Sequence, residues 1–320
     1  MRISIALATY NGGLYLKEQL DSIANQSLQP DELVISDDHS IDNTLDIIKD
    51  FSNSVSFDIK IYENPSKGFN TNFEYALKNT TGDIIFICDQ DDYWCDNKIK
   101  SSVHFFDENP DKDLIIHNLE FCDSNLKPIG QNKIDRFKFY NKGLDGYVTG
   151  MATAVKRKFL ETCFPFPIYT NYDSWIHLCA VLLDRKMINP EVLSLYRRHN
   201  SNATIESIIN ISKIPTLFNK ISNKIKYNDL NDLKNHIDLL LFALNYLENI
   251  DSCIDVNNEI LNNSMSKIKT QILRCKERYI LLDKSFVKRF IFATKLLFNN
   301  GYSGSSGVYS YLKDIFYLWK

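Results

Sequence analysis

The sequence predicts an α/β domain over residues 1–204, with a mostly parallel sheet flanked by helices, and an α-helical appendage over residues 205–320. Two observations favour this class. Up to about residue 200, short apolar runs rich in β-branched residues alternate with helical patterns, which is typical of a mostly parallel sheet. Beyond that point the strand signals fade and a helical pattern continues to the end. With 44% hydrophobic residues among 320, the chain is able to bury a large core.

The first four strands are predicted from the runs RISIALAT, ELVISDD, FDIKIYE and DIIFICD. The segment LYLKEQLDSIANQS, between the first two, has a helical pattern. After the third run, Thr71 and Glu74 have the spacing of a capping box, which predicts a helix that begins there and ends at residues 80–82. The sequence GYSGSSG at 301–307 predicts a flexible break within the helical appendage.

The composition argues against several classes of protein. There are 37 Lys and Arg against 40 Asp and Glu, and the net charge of −3 is unlike that of a general nucleic-acid binder. The seven cysteines include no CxxC pair, so neither a disulfide framework nor a zinc knuckle is expected. The apolar stretch at 3–8 is too short for a signal peptide, and no later run reaches the roughly 20 residues that span a bilayer. We therefore expect a cytoplasmic protein.

Charge is distributed unevenly along the chain. Residues 1–204 have a net charge of −8, whereas residues 205–320 have a net charge of +5. From Ser264 to Lys320, 11 basic residues stand against 3 acidic ones, interleaved with aromatic and aliphatic side chains. This pattern suits a surface that contacts anionic lipid or a lipid-linked phosphate, and so predicts peripheral membrane contact. Two alternatives stay open: a helical appendage with a solvated basic face, and a homo-oligomer interface.

The strongest chemical signal is the sequence ICDQDDYW at residues 87–94. An apolar strand leads directly into Asp89, Asp91 and Asp92, and like charges so close together repel unless a cation or a proton compensates them. Mg²⁺ and Mn²⁺ prefer carboxylate oxygens, together with water and substrate phosphate oxygens. The segment therefore predicts a divalent cation site, with an ordinary Asp-rich turn as the alternative.

Polar residues also follow the first and second predicted strands. Asp38 could accept hydrogen bonds from a nucleotide base or a ribose, as acidic residues do at strand ends of nucleotide-binding sheets. Thr9, Tyr10 and Asn11 follow the first strand, where the other face of the base could stack. Residues 42–44 are better explained as the capping residues of the next helix.

Seven segments occur in a fixed order along the chain: ALATYNGGLYLKEQLDSIANQS, ELVISDDHSIDNT, NPSKGFNTNFEYAL, GDIIFICDQDDYWCDNKI, YVTGMATAVKR, YDSWIHLCA and LYRRHNSN. In this order they closely resemble glycosyltransferase family 2. The likeness is strongest to bacterial members that build O-antigen, capsule and rhamnose-containing polysaccharides of the cell envelope. It covers roughly residues 1–202, about 63% of the chain.

The resemblance implies a GT-A fold, which is a Rossmann-like mixed sheet flanked by helices, and an inverting transfer of a sugar. The donor would be a nucleotide-diphospho-sugar, with UDP and dTDP equally suited, and the cofactor Mn²⁺ or Mg²⁺. The acceptor would be a hydroxyl of a glycan or a lipid-linked oligosaccharide. These expectations place the enzyme in the cytoplasm, in peripheral contact with the inner face of the plasma membrane.

The resemblance also implies roles for individual residues. The nucleotide would be bound by Thr9, Tyr10, Asn11, Asp38 and Asp89. Asp89 and Asp91 would form the DxD pair, with Asp91 as the direct metal ligand, and His199 would close over the metal or the diphosphate. Asp173 occupies the place of the catalytic base. Gln90 departs from the pattern, because many relatives have another Asp there.

The remaining candidates concern the acceptor and the diphosphate. Transfer to an alcohol needs a base, for which Asp173 is the candidate, and electrostatic stabilisation of the leaving diphosphate, for which the bound metal with Arg197, Arg198 or His199 is the candidate. Gly150 lets the acceptor or donor approach the backbone closely. Trp175 either contacts the acceptor or packs in the core. Asp173 has an alternative as well, as a charge that complements a helix dipole.

Two competing functions come from other classes. A sugar nucleotidyltransferase would need a glycine-rich phosphate loop with a basic residue, whereas TYNGGLYLKEQ has few glycines and its lysine lies within a helical pattern. A non-catalytic glycan-binding scaffold could share the fold. The joint presence of Asp38, Asp89, Asp91 and Asp173 argues against it.

Overall fold

The computed structural model of the chain describes residues 1–139, 143–199, 230–250, 254–281, 284–299, 301–302 and 308–316. The chain divides into two compact units: Met1–Phe166 with Asn171–Lys213, and Pro167–Thr170 with Ile214–Lys320. The domain boundary predicted between residues 204 and 205 lies outside the described residues and stays a prediction. Most of the predicted break at 301–307 lies outside them as well.

The first unit is built on a mixed sheet. Its strands in the described residues are β1 (Ile3–Thr9), β2 (Glu32–Asp37), β3 (Asp58–Glu63), β4 (Ile84–Cys88), β5 (Tyr93–Trp94), β6 (Leu114–Cys122), β7 (Thr153–Lys156) and β8 (Lys186–Arg197). They form one sheet in the order β3-β2-β1-β4-β7-β6-β8-β5. The first four pair in parallel, and β7 runs antiparallel to both β4 and β6. The predicted mixed α/β sheet is confirmed.

Helices flank this sheet and fill its connections. They are α1 (Leu16–Ala24), α2 (Thr44–Ser52), α3 (Phe69–Asn79), α4 (Lys98–Glu108), α5 (Lys133–Phe139), α6 (Arg157–Thr162) and α7 (Tyr172–Leu182). The apolar residues of α1 recur at helical spacing, so that Leu16, Leu20 and Ile23 all enter the core. β1, β2 and β4 are buried along their whole length, as central parallel strands must be when helices cover the sheet.

The start of α3 differs from the prediction. The helix begins at Phe69, after Gly68 with a φ of 129°, and Thr71 lies inside its first turn. Thr71 donates its hydroxyl to the carbonyl oxygens of Ser66 and Gly68, at 2.7 and 2.9 Å. The capping-box prediction was therefore wrong, because a glycine in a conformation that other residues rarely adopt begins the helix earlier. The predicted end is confirmed, since the helix stops at Asn79.

A buried carboxylate fixes the end of the sheet opposite the loops that follow β1, β2 and β4. Glu32, at the start of β2, is fully buried and accepts hydrogen bonds from the Ser4 hydroxyl at 2.5 Å and from Lys60 Nζ at 2.7 Å. It also accepts the Thr81 hydroxyl, at 2.9 Å. Burial alone would raise its pKa, but the hydrogen bonds from Lys60, Ser4 and Thr81 outweigh burial and lower the pKa to about 2. Glu32 thereby connects β1, β2, β3 and the segment before β4.

The second unit is helical in its described residues. It contains α8 (Leu230–Asn249), α9 (Asn258–Leu281), α10 (Phe286–Phe298) and α11 (Val308–Phe316). Arg278 of α9 donates Nε to the Asp314 carboxylate of α11 at 2.9 Å, and both side chains are buried. In the part of the chain that the structure describes, every helix is too short or too polar to cross a membrane. The prediction that the C-terminal part of the chain is helical is confirmed for the described residues.

We expect Glu32→Gln to destabilise the first unit. We also expect the free energy of unfolding of this variant to fall less than that of the native chain as the pH is lowered. Because the carboxylate has its pKa lowered from 4.5 to about 2, its contribution is complete above pH 4.5 and is lost as the pH falls from there towards 2. Removing it should lower the free energy of unfolding at neutral pH by about 1–3 kcal/mol, measured by urea denaturation. The exposed Glu108→Gln is the matched control. If the free energy of unfolding of Glu32→Gln fell with decreasing pH as steeply as that of the native chain, the role given to Glu32 would be contradicted.

Candidate functional site

The site is formed where β1, β2 and β4 end side by side. Thr9 pairs with Asp37, and Leu7 with Cys88, so the residues that follow these strands meet at one edge of the sheet. In parallel α/β sheets this edge is where ligands bind. The sequence-predicted residues after β1, β2 and β4 therefore become neighbours.

A cavity of about 660 Å³ opens at this edge. Its described lining consists of Tyr10, Asn11, Gly12, Leu14, Tyr15, Gln90, Asp91, Ser124, Arg198 and His199. Five residues with predicted roles are among them: Tyr10, Asn11, Asp91, Arg198 and His199. The cavity thus combines the loop after β1, the acidic segment after β4 and the end of β8.

Gln90 connects two of these segments. Its side-chain oxygen accepts the Tyr10 N–H at 2.8 Å, and its amide nitrogen donates to the Tyr10 carbonyl oxygen at 3.0 Å. Gly12 lies against the same side chain, where a Cβ would come within 2.3 Å of Gln90 Oε1. The residue that looks like a departure from the acidic motif is therefore a structural link. An Asp at this position would be one methylene shorter and would lack the amide donor.

The loop after β1 is held to the loop after β2. Asn11 has a positive φ of 46°, which Asn tolerates better than most residues, and its side-chain oxygen accepts the Ile41 N–H at 2.9 Å. Thr9 is buried and donates its hydroxyl to Asp37 at 2.7 Å. These contacts shape the cavity. Nucleotide contacts by Thr9 and Asn11 stay a prediction.

Asp38 lies beside Thr9, whose carbonyl oxygen accepts the Asp38 N–H at 2.8 Å. Its carboxylate accepts the Asn64 side-chain amide at 2.7 Å and the Gly68 N–H at 3.0 Å. These hydrogen bonds orient the carboxylate before any ligand is present. Asp38 is half-buried, and its predicted contact with a base or a ribose stays a prediction.

Asp91 and His199 meet across the cavity although they are 108 positions apart. His199 Nε2 lies 2.9 Å from Asp91 Oδ2. Tyr15 supports the contact, because its ring centroid lies 4.7 Å from that of His199. The structure thus brings together the two side chains that the sequence predicts as metal-binding.

Arg197 lies behind this pair rather than in the cavity. It is buried, and it donates Nε to the Asp91 carbonyl oxygen at 2.8 Å and Nη1 to the Ser124 carbonyl oxygen at 2.5 Å. It also forms an ion pair with Glu18 and stacks on the Tyr15 ring at 4.4 Å. Because the guanidinium is used within the protein, these contacts favour a supporting role for Arg197, and its predicted diphosphate contact stays a prediction. Arg198 does line the cavity.

A buried acid and a buried base lie beneath Asp91. Asp92 accepts the Arg197 N–H at 2.9 Å, while its Oδ2 is buried without a hydrogen-bond partner. Burial, followed by the charges of Asp91 and Asp89, raises the pKa of Asp92 well above its ordinary value. Lys98 donates to the Met151 carbonyl oxygen at 2.7 Å and to Ser194 Oγ at 3.1 Å. Burial lowers the pKa of Lys98 to about 7.

Asp89 and Asp173 belong to the same carboxylate cluster. Burial raises the pKa of Asp89 to about 8, and the charges of Asp91 and Asp173 add to the effect. Burial also raises the pKa of Asp173, against hydrogen bonds from Ser174 and the Gly150 N–H. The charges of Asp91 and Asp173 thus disfavour the ionised form of Asp89, which is the condition that a cation relieves.

Gly150 and Trp175 both make close contacts within the protein. A Cβ at Gly150 would lie 2.1 Å from the hydroxyl of Tyr172, whose ring stacks on Phe73 at 4.1 Å. Tyr172 is thus one group that approaches the Gly150 backbone closely, and the predicted approach of a ligand stays a prediction. Trp175 is buried and donates its indole N–H to the Cys163 carbonyl oxygen at 2.8 Å, so it packs in the core, which is one of its two predicted alternatives.

The side chains at the cavity fit a cation that takes most of its ligands from phosphate and water. Across the described ranges, no group of three or more His, Cys, Asp or Glu is arranged to hold a metal ion. Asp91 and His199 supply one carboxylate and one imidazole at the cavity, and the buried Asp92 Oδ2 lacks a partner. One or two protein ligands, completed by phosphate and water, are usual for Mg²⁺, and Mn²⁺ accepts both ligand types.

Solved structures share this fold. The Staphylococcus aureus protein TarS, residues 1–349 in complex with UDP-GlcNAc, matches with a TM-score of 0.60 at 17% identity, over 98% of this chain and 90% of that one. The mannosyltransferase PcManGT from Pyrobaculum calidifontis matches with a TM-score of 0.51 at 16% identity, over 98% and 87%. The predicted GT-A fold with C-terminal helices is confirmed.

Sequence relatives agree with the structures. An uncharacterized glycosyltransferase from Nostoc sp. is 29% identical over 63% of this chain, and the Escherichia coli glucosyltransferase WfgD is 27% identical over 74%. TarS is 25% identical over 69%. The matches span 66% of the Nostoc protein, 85% of WfgD and 35% of TarS. The model of the family described as glycosyl transferase family 2 matches residues 4–164, half of the chain, and the chain therefore belongs to that family.

Proposed function

We propose that this glycosyltransferase moves a sugar from a UDP- or dTDP-sugar to a hydroxyl of a lipid-linked glycan, with inversion, in the synthesis of a cell-surface polysaccharide such as O-antigen or capsule. The observation that carries the proposal is the cluster of Asp89, Asp91 and Asp173 beside a cavity that Asp91 and His199 line. Such a cluster suits a cation bound to a diphosphate on one side and a base on the other.

The names of relatives support the donor and acceptor classes. WfgD is named a UDP-Glc:alpha-D-GlcNAc-diphosphoundecaprenol beta-1,3-glucosyltransferase, whose acceptor is a lipid-linked sugar. TarS is named a poly(ribitol-phosphate) beta-N-acetylglucosaminyltransferase and was crystallised with UDP-GlcNAc. PcManGT was crystallised with GDP-Man and Mn²⁺. The uridine donors favour UDP over dTDP here, and the WfgD acceptor favours a lipid carrier.

The donor nucleoside would lie across the ends of β1 and β2. The Tyr10 side chain is 57% exposed at the cavity and offers a ring on which a base stacks. Asp38, held by Asn64 and the Gly68 N–H, would accept a hydrogen bond from the base or the ribose. Backbone groups of Thr9 and Asn11 would complete the pocket. Asp89 would lie between the nucleoside and the diphosphate.

Asp91 and His199 would hold Mn²⁺ or Mg²⁺ at the diphosphate. A bound cation neutralises the negative charge that develops on the leaving diphosphate. Arg198, which lines the same cavity, would add positive charge at this point. Arg197 would act indirectly from behind the cavity, because its contact with the Asp91 carbonyl oxygen fixes the backbone of that residue.

Asp173 would act as the base that takes the proton of the attacking hydroxyl. Its raised pKa makes the carboxylate a stronger proton acceptor than an exposed Asp. The Gly150 N–H and Ser174 hold it in one orientation. Attack from the face opposite the diphosphate, in a single displacement, inverts the anomeric carbon. A non-catalytic scaffold would have no use for this arrangement.

We expect Asp91→Ala and His199→Ala to reduce strongly the hydrolysis and transfer of a UDP-sugar in the presence of Mn²⁺. Loss of electrostatic stabilisation at the leaving group should reduce kcat by a factor of about 10²–10³, measured by release of UDP. Asp96→Ala, at an exposed position five residues further on, is the matched control. Absence of turnover in the native chain with every nucleotide-sugar would support the scaffold instead.

We expect Asp173→Asn to reduce kcat for transfer by a factor of about 10²–10⁴ while leaving donor affinity intact, since the base acts only on the acceptor. In the native chain, kcat should fall as the pH is lowered through the raised pKa of Asp173, because the base must be ionised. Calorimetry with UDP and steady-state assays measure the two quantities. Asp107→Asn, exposed on α4, is the control. Full transfer by Asp173→Asn would remove it from the mechanism.

We expect Gly150→Ala to reduce kcat for transfer by about 100-fold, because the new methyl group displaces Tyr172 and with it Asp173. Donor affinity should be unchanged. Gly146→Ala is a matched control, since a Cβ there meets no atom within 4 Å. A fall in donor affinity that equals the fall in kcat would show that Gly150 supports the donor instead of the base.

A further inference from the structure

Helix α10 of the second unit exposes a stripe of large apolar side chains. Val287, Ile291 and Phe298 are 66%, 59% and 82% exposed. Their spacing of four and seven residues places them on one face of the helix. The opposite face is the one that packs, through the buried Ala293, against Leu281 and Ile315. The exposed stripe is therefore not needed to hold α10 in the second unit.

Lysines border this stripe. Lys288 and Lys295 are exposed and seven residues apart, so they form a line next to Ile291 on the helix surface. α10 contains no acidic residue among its 13 positions. An apolar stripe with a row of lysines beside it matches the boundary between lipid headgroups and acyl chains, where lysines meet the anionic headgroups.

The neighbouring helix continues the same surface. Leu273 and Ile280 of α9 are exposed and also seven residues apart. A groove of about 560 Å³ separates α9 from α10, and its lining includes both of these side chains together with Phe292, Lys284 and Lys295. Lys284 Nζ lies 5.2 Å from the centroid of the Phe292 ring. Basic residues, with the single acidic residue Glu277 among the lining, therefore lie between apolar groups across both helices.

We propose that α10, with the adjoining face of α9, docks on the surface of a membrane that contains anionic phospholipid. The inference extends the proposed function, because a lipid-linked acceptor lies at such a surface. α10 is about 20 Å long at 1.5 Å per residue, too short to cross a bilayer, so it lies along the interface. Val287, Ile291 and Phe298 enter the acyl region, and Lys288 and Lys295 contact the headgroups.

The apolar part of the proposal is tested by co-sedimentation of the full chain with phosphatidylcholine vesicles, with or without phosphatidylglycerol. The native chain should sediment only with the anionic vesicles. Ile291→Asp should reduce the bound fraction at least tenfold, because it places a carboxylate in the acyl region. Ile168→Asp is the matched control, because Ile168 is 89% exposed and lies in neither α9 nor α10. This variant should bind like the native chain.

The charged part is tested with the pair Lys288→Gln and Lys295→Gln. Loss of each lysine should weaken binding to anionic vesicles by roughly fivefold, and added salt should weaken the native chain in the same direction. The control pair Lys17→Gln and Lys49→Gln removes two exposed lysines from the first unit and should leave binding unchanged. Melting temperatures establish that all variants fold.

Three outcomes would overturn the proposal: no binding of the native chain, equal binding by Ile291→Asp, or equal loss in the two lysine pairs. A dimer that Ile291→Asp dissociates, seen by light scattering without vesicles, would assign the stripe to a second copy of the chain. Hydrolysis of the soluble UDP-sugar should be unchanged in Ile291→Asp. Failure of the docking proposal is thereby separated from failure of the proposed enzymatic function.

Discussion

Repulsion among the carboxylates after β4 is the constraint on which the rest of the site depends. Asp89, Asp91 and Asp92 follow one strand within four residues, and Asp173 approaches from α7. Three contacts offset this repulsion: Arg197 donates Nε to the Asp91 carbonyl oxygen and its backbone N–H to the Asp92 carboxylate, and Lys98 lies buried nearby. These groups act from inside the protein, whereas His199 contacts Asp91 on the side that faces the cavity, where we propose the cation.

Much of the fold could be predicted from the sequence because its signals are local. Apolar β-branched runs with helical patterns between them identified β1 to β4, and polar residues at the strand ends identified the edge where the cavity lies. The start of α3 could not be predicted in this way. Whether Thr71 caps a helix depends on the backbone conformation of Gly68, three residues earlier, which the spacing of Thr71 and Glu74 does not report.

Several residues at the cavity could be predicted from the sequence, but the contacts that each of them makes could not. Arg197 lies in the segment LYRRHNSN and was a candidate for the diphosphate, yet it is buried and contacts Glu18 and Ser124, which are far away in the sequence. Gln90 appeared to be a substitution in an acidic motif, and only its contacts with Tyr10 give it a role. Lys98 was missed, although its spacing with Ser102 and Phe106 on the buried face of α4 was a readable signal.

The long separation between Asp91 and the residues that stabilise it has a consequence for how the chain is made. Arg197 and His199 lie 106 and 108 positions after Asp91, so more than a hundred further residues must leave the ribosome before their contacts with Asp91 can form. Contacts of such high sequence separation form late and slow folding. Until then the nascent chain carries its acidic cluster in water, where solvation and counterions screen the mutual repulsion. Completion of the site is therefore coupled to the arrival of β8 and the two residues after it.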